Sequence, residues 1–356
     1  MQTKRAFILV TLISLPALVA LFGGSYFWSV THVRRWTGQP ELGFTSCNHC
    51  HFVKLENLPW AKPHPLHASP AGLAVAPDGT KLYIALDDLG EVVEADVSRR
   101  SVTRRLKMAG APIGLTLDKK GERLYVACRE SDRVGVGELR EFKELESIAV
   151  GMAPVAITFC ATKDGDRLVV ANSMSDNVSV LALAPLRELA RPQSGREPYS
   201  VAAADDGSVV FVANRLAVPE NYLATPNSEL TLLDPARGRI LSRPALESAH
   251  LAEGVATVPG RAWSLTSLVK VRNLVPITQV ANGWVMSSGF AVSDFQGNIT
   301  QLPLDEAHDF FADPSGIAVD PSGQRAYIAS GGSDTVSVVD LDRVAAWLAK
   351  ADESSQ

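Results

Sequence analysis

From Pro70 onward the chain repeats one pattern of apolar and polar positions. The phrase Pro70-Ala71-Gly72-Leu73-Ala74 returns as Pro112-Ile113-Gly114-Leu115-Thr116, Pro154-Val155-Ala156-Ile157-Thr158, Pro198-Tyr199-Ser200-Val201-Ala202, Ala252-Glu253-Gly254-Val255-Ala256 and Pro314-Ser315-Gly316-Ile317-Ala318. The starting positions 70, 112, 154, 198, 252 and 314 are separated by 42, 42, 44, 54 and 62 residues. Each unit runs in the same order: an alternating apolar run, a Gly-containing turn, a second run, a polar loop and a third run. The turns, such as Asp78-Gly79 and Asp206-Gly207, suit hairpins that need positive φ. The second runs, KLYIAL, RLYVAC, RLVVAN, VVFVAN, RAWSLTSL and RAYIAS, are rich in β-branched and aromatic residues. Third runs follow Ser131, Ser175 and Ser333 as SDRVGV, SDNVSV and SDTVSV, and a weaker fourth strand such as Arg104–Met108 completes the unit. Four strands at this period make one propeller blade. The fold class is therefore all-β, a β-propeller of four-stranded blades, six of them counted over residues 70–342.

The last unit stops after its third strand, because Asp340 to Lys350, with its VAAWLAK run, reads as a short helix. A propeller can close by giving its N-terminal segment to the last blade, and His51–Glu56 is the strand expected to do so. An open edge paired with a partner protein is the alternative. The two longest units owe their length to insertions from Arg215 to Pro226 and from Val269 to Trp284, both between second and third strands. Those connections share one face of a propeller with the links from blade to blade. Loops that lengthen on one face of a rigid scaffold usually carry function, against the plainer reading of neutral drift.

Ahead of the repeats, Lys4 and Arg5 precede an uncharged stretch from Ala6 to Thr31. A basic start followed by so long an apolar run is an export signal, long enough to span a bilayer as a helix. A retained anchor is expected, with cleavage near Gly23-Gly24-Ser25 as the alternative, and the chain is placed at a bacterial cytoplasmic membrane facing the periplasm. The divisions are then 1–31, signal and anchor; 32–69, haem-binding segment; 70–342, propeller; and 343–356, C-terminal helix and tail.

The segment between anchor and propeller contains Cys47-Asn48-His49-Cys50-His51. Two thiols spaced C-x-x-C and followed at once by His form the attachment signature for c-type haem, in which both sulfurs bond the porphyrin vinyl groups and the histidine coordinates iron. A structural zinc site would need four ligands, and no second such pair exists in the chain. One covalent haem c on Cys47 and Cys50, with His51 as proximal ligand, is the expectation. Export agrees with it, because this attachment occurs outside the cytoplasm. Fewer than forty residues offer too little apolar surface to wrap a porphyrin alone. The proline-broken stretch Leu58–His67 reads as an extended arm. Candidate second ligands are His67 and His64, then His250 and Met174, among a set that includes His32, His49, His308, Met108, Met152 and Met286. An iron left open or water-bound is the alternative.

The succession of Pro-x-Gly, Asp-Gly and Tyr-Val-x-Asn elements over residues 70–342 resembles the YVTN family of β-propellers. The resemblance implies the propeller fold and an exported location. Members are surface and periplasmic proteins, some accompanied by c-type haem motifs, and they resemble the propeller subunits of quinoprotein amine dehydrogenases. Seven blades are usual in such propellers, and six are counted here. The 356 residues carry a net charge of −5 with no basic run, which argues against a nucleic-acid surface. Cys128 and Cys160 could pair in an oxidising compartment, although strand periodicity already explains both as buried small hydrophobes. Asp87, Asp88 and Glu130 could hold calcium or form a solvated rim. No nucleophile elbow, P-loop or metal-hydrolase motif is present in the sequence.

Three functions fit. The first is an anchored c-type haem protein that passes electrons to or from a periplasmic redox partner docked on its propeller. The second is a haem enzyme of peroxidase type, or the propeller subunit of a periplasmic dehydrogenase. The third is a protein-binding scaffold. The expected partners are a redox protein and, through the N-terminal helix, the membrane; the sequence specifies no small-molecule substrate.

Overall fold

The structure, a computed structural model, describes residues 68–218, 225–271, 286–305 and 311–354. Cys47, Cys50, His51, His64 and His67, the apolar stretch Ala6–Thr31 and the expected closing strand His51–Glu56 lie outside the described residues.

Six antiparallel sheets follow one another along the chain. The first comprises β1 (Pro70–Val75), β2 (Lys81–Leu86), β3 (Glu91–Asp96) and β4 (Ser101–Lys107), paired in that order. The second comprises β5 (Pro112–Leu117), β6 (Arg123–Cys128), β7 (Arg133–Glu138) and β8 (Lys143–Ala149). The third comprises β9 (Pro154–Thr162), β10 (Gly165–Asn172), β11 (Asn177–Leu183) and β12 (Leu186–Ala190). In the fourth, β13 (Pro198–Ala203), β14 (Val210–Asn214), β15 (Ser228–Asp234) and β16 (Arg239–Ser242) are joined by a short β17 (Ala245–Leu246) on β15. The fifth holds β18 (Ala249–Thr257), β19 (Trp263–Val271), β20 (Met286–Asp294) and β21 (Ile299–Pro303). The sixth has three strands among the described residues, β22 (Pro314–Val319), β23 (Arg325–Ser330) and β24 (Thr335–Asp340). The chain then turns directly into helix α1 (Leu341–Ser354), whose first backbone N–H groups, from Asp342 and Arg343, donate to Asp340 Oδ1 at 3.0 Å each. The order of strands, the six blades and the early stop of the last one are those that the repeat predicts.

The first strands of consecutive blades pack side by side from the first blade to the sixth, and so lie innermost. The cores lie between blades, not within them. Tyr83, Ala85 and Val92 of the first blade meet Leu115, Leu124 and Val126 of the second. Tyr125, Ala127 and Val134 of the second meet Ile157, Leu168 and Val170 of the third. A middle strand therefore buries both of its faces, which is why the second runs read as nearly continuous apolar stretches.

Polar staples fix the angle between blades. Asp132 and Asp176, from the Ser-Asp pairs ahead of β7 and β11, stand in the left-handed region at φ 54° and 51°. Asp tolerates that conformation better than most residues. Their Oδ1 atoms accept the N–H groups of Ala153 at 2.8 Å and Glu197 at 2.7 Å, each the residue just before the next blade's first proline. Asn214, fully buried, accepts from Ser194 Oγ at 2.8 Å and Gly195 N at 3.1 Å while donating to Glu229 O at 2.8 Å and Thr231 Oγ1 at 2.9 Å. A Cβ on Gly195 would lie 2.6 Å from this amide, so only glycine lets the connecting loop approach. Asn214 is thus a clamp on the link between the third and fourth blades, whereas its repeat equivalent Asn172 donates to Asn177 Oδ1 and Ser179 Oγ within its own blade.

Glu94 is the centre of an ionic cluster within the first blade. It is buried and accepts hydrogen bonds from Arg104 Nε at 3.0 Å, Thr103 Oγ1 at 2.7 Å and Lys81 Nζ at 3.2 Å, with a further contact to Arg104 Nη2. Arg104 in turn lies over the Phe142 ring, 4.7 Å from its centroid. Burial alone would raise the Glu94 carboxyl, but the bonds from Arg104, Thr103 and Lys81 outweigh it and hold the group at about 2. An unfolded Glu titrates near about 4.3, so this stabilisation is complete above that value and is lost as pH falls towards 2. Glu94→Gln should lower stability at pH 7 by about 2 kcal/mol, measured by urea unfolding, and should flatten the loss of stability between pH 5 and pH 2. An unchanged acid profile in the variant would show that the contact does not govern it.

Candidate functional site

In an antiparallel blade the links between second and third strands lie on the same face as the links to the next blade. Both insertions belong to that face. The first leaves β14 at Arg215 and is pinned at its base, where Val218 N–H donates to Asn227 O at 2.9 Å and Leu216 bridges to Leu251 of the fifth blade. The second leaves β19, whose last pair with β20 is Val271 with Met286. Residues 219–224 and 272–285 of these insertions are outside the described set.

Arg215 ties the base of the first insertion to the inner edges of the fourth and fifth blades. Its Nε donates to Glu253 Oε1 at 2.8 Å and its Nη1 to Glu197 Oε1 at 3.2 Å, and its guanidinium lies 4.7 Å from the centroid of the Tyr199 ring. Burial works against its charge, and the carboxylates of Glu253 and Glu197 outweigh burial and raise it. This group fixes the base of the first insertion rather than offering a free acid or base.

Beside it, Met152 and Met174 are exposed and adjacent, with Met174 N–H donating to Met152 O at 3.3 Å. Met174 edges a shallow groove with Ser173, Asp176, Arg196, Glu197 and Leu216. His250 at the start of β18 and Met286 at the start of β20 are also exposed and flank the second insertion. Four of the second-ligand candidates, Met152, Met174, His250 and Met286, thus share the loop face. Met108 does not. It is buried in the core between the first and second blades, its methyl against Gly135, where an added Cβ would come within 2.6 Å of Met108 Cε. His308 lies outside the described residues.

Two of the three acidic residues singled out as calcium candidates have other partners, and the third, Glu130, is exposed. Asp87 pairs with Arg129 at 2.9 Å across the first seam, and Asp88 accepts from Ser69 Oγ at 2.5 Å. Among the described residues no three His, Cys, Asp or Glu side chains converge as metal ligands. Cys128 and Cys160 are free thiols buried in different interblade cores, so the disulfide between them does not form. Burial pushes the thiols up, to about 12 for Cys128 and about 11 for Cys160. Among the described residues no helix is long and apolar enough to cross a membrane.

The residues that sequence reading missed are the clamps: Asn214, the paired Asp132 and Asp176, and Arg215. The first three carried a signal, since their motifs recur. Arg215 marked only the start of an insertion.

The described chain is a six-bladed β-propeller with an exposed, thioether-rich loop face. No family model matches the sequence. Over 121 residues it is 29% identical to hydrazine synthase subunit beta of Kuenenia stuttgartiensis, a match spanning 33% of this chain and 31% of that protein. The sequence likeness therefore covers about a third of the relative's length. Among solved structures, hydrazine synthase of Kuenenia stuttgartiensis superposes with a TM-score of 0.71 at 24% identity, covering 79% of each chain. Virginiamycin B lyase of Staphylococcus aureus superposes at 0.53 with 12% identity, covering 77% of this chain and 84% of that one. These structural likenesses show the propeller fold.

The buried, high-pKa thiols lead to a direct measurement. In the native protein at pH 8, neither Cys128 nor Cys160 should react with a maleimide within the time that denatured protein is fully labelled, as read by mass spectrometry of the two peptides. Rapid native labelling of either would show that its seam opens.

Proposed function

We propose that this chain is the propeller subunit of a multi-subunit, periplasm-facing redox enzyme, and that it carries one haem c of its own on Cys47 and Cys50 with His51 as proximal ligand. The observation that carries the subunit reading is the likeness of the propeller, in sequence and in fold, to a protein whose name makes it one subunit of hydrazine synthase. The donor set of the motif fits haem c: two thiols for the two vinyl groups and one imidazole for iron. When bound, the haem supplies one-electron exchange. The chain's own residues supply the rest. Asp132, Asp176 and Asn214 hold the blades at fixed angles, Arg215 fixes the base of the first insertion, and the exposed Met152, Met174 and Met286 present adaptable apolar contacts of the kind used to dock proteins. The apolar stretch Ala6–Thr31 would hold the assembly at the membrane.

A second reading, a stand-alone electron carrier with a transient partner on the loop face, shares the haem and the docking surface. It differs in stoichiometry and is favoured if the purified protein is a monomer with a six-coordinate haem that does not bind CO. The subunit reading expects the full chain to purify in a complex of fixed stoichiometry. Met152→Glu with Met174→Glu should release it from that complex while leaving the haem stain on a denaturing gel unchanged. Cys47→Ala with Cys50→Ala should abolish the stain. Retained stain in the cysteine variant would refute covalent attachment, and an intact complex in the methionine variant would move the docking surface elsewhere.

A further inference from the structure

One position of the repeat changes character in the first blade alone. There Tyr83 pairs with Glu94, and the same register position holds Val136, Val180, Leu232, Val292 and Val338 in the five later blades. The first four of those aliphatic side chains are buried in interblade cores, and Val338 is exposed at the end of the series. Glu94 is buried too, at 3% exposure, and draws Arg104 and Lys81 to it. A buried carboxylate with its cations gives a seam no more stability than an aliphatic side chain of similar volume. Packing therefore does not account for the exchange, and ionisable groups held in this way beside a cleft are candidates for a binding site.

A cavity of about 590 Å³ opens at the seam between the first and second blades, on the face opposite the insertions. Buried Tyr83 and half-buried Arg104 and Lys81 form its floor, and three hairpin turns, from β1 to β2, β5 to β6 and β7 to β8, form its walls. The turns are held in place. A Cβ on Gly121 would lie 2.7 Å from Pro77 Cδ, so the first two touch, and Arg104 Nη1 donates to Arg140 O at 3.0 Å, which ties the third turn to the floor. Lys81 and Arg104 are occupied by Glu94, whereas the other cations of the lining, Lys120, Arg123 and Arg140, have no ion-pair partner among the described residues. Of the acids, Asp78 accepts from Thr80, and Glu138 accepts the Glu141 N–H at 3.2 Å. Glu122, exposed at the rim, is the remaining carboxylate. The uncommitted charge of the cavity is thus three positive groups against one negative.

We propose that this cavity binds a small dianion through carboxylate or phosphate oxygens. Arg123 and Arg140 offer planar guanidinium forks, the donors best matched to such oxygens, and Lys120 adds a mobile point charge. An excess of two uncommitted positive charges calls for two negative charges on the ligand. The volume lies within the range of small-molecule sites, about 300–1,000 Å³. Arg104 has a different part. With Nε and Nη2 on Glu94 and Nη1 on Arg140 O, it is a positioning residue that sets the wall from which Arg140 reaches the ligand. That role accounts for the carboxylate at position 94, which anchors Arg104 where an aliphatic side chain could not. The site is on the other face of the propeller from Met152 and Met174, so a ligand here and a protein on the loop face would not compete.

The experiment is isothermal titration of the full-length protein with succinate and, separately, with inorganic phosphate, at neutral pH and low ionic strength. At least one should bind at a single site per chain, and the tighter of the two tells whether the ligand's charge comes from carboxylates or from phosphate. Arg123→Gln and Arg140→Gln should each weaken that binding roughly tenfold, the loss expected when one charge-assisted contact is removed. Both side chains are exposed, so thermal unfolding without ligand should not move. Arg187→Gln, an exposed arginine on the outer strand of the third blade, should bind as wild type does. No saturable binding of either anion up to about 10 mM overturns the inference. So does equal affinity in wild type and both cavity variants, or an equal loss in Arg187→Gln, which would make the effect one of overall charge.

Discussion

The structure depends on packing between blades. A four-stranded sheet of this size has no core of its own; it becomes stable only when a neighbour covers each face. The repeat solves this by giving every blade two different faces, a Tyr-Ala-Val row such as Tyr125, Ala127 and Val134 on one side and a Leu-Val row such as Leu124 and Val126 on the other. Because the rows differ, each blade accepts its successor in one orientation, and the sequence of blades sets the sequence of seams.

Polar contacts add direction to this packing. Apolar rows can slide, but a buried Asn214 with four hydrogen bonds cannot shift without leaving some of them unmade. The aspartates in left-handed conformation work the same way at the residue before the third and fourth blades. With angles fixed by such clamps, the loop face is free to vary, and the insertions after Arg215 and Val271 grow from points that the scaffold holds still.

Much of this was legible in the sequence because it is periodic. The six repeat phrases located the blades, the second runs located the middle strands, and the VAAWLAK run located the helix that replaces a fourth strand in the sixth blade. What was not legible depends on residues far apart in the chain. Met108 reads as a loop methionine, and it is buried because Gly135, on another strand, leaves room for its methyl. Arg215 becomes a hub because Glu197 and Glu253 arrive from two different blades. The exposed rows at Leu73 and Val338 also escaped notice, since by pattern they match buried residues in every other blade; only the seam geometry sets them apart. The C-x-x-C-H spacing is read from the sequence alone, and its residues fall outside the described part of the chain.

The two buried thiols have a consequence for how the protein is made. The chain has four cysteines, and a polypeptide that reaches an oxidising compartment unfolded can join any of them to any other. Once the seams around Cys128 and Cys160 close, those two leave the exchange, because a thiol held near 11 or 12 and shut away from solvent is a poor nucleophile. Folding of the propeller thus withdraws half of the chain's thiols from exchange, and under the proposed haem attachment the Cys47–Cys50 pair would meet no competing thiol from the blades. A mutation that slowed the closing of the second or third blade would lengthen the time in which the blade thiols stay open to wrong pairing, without touching Cys47 or Cys50.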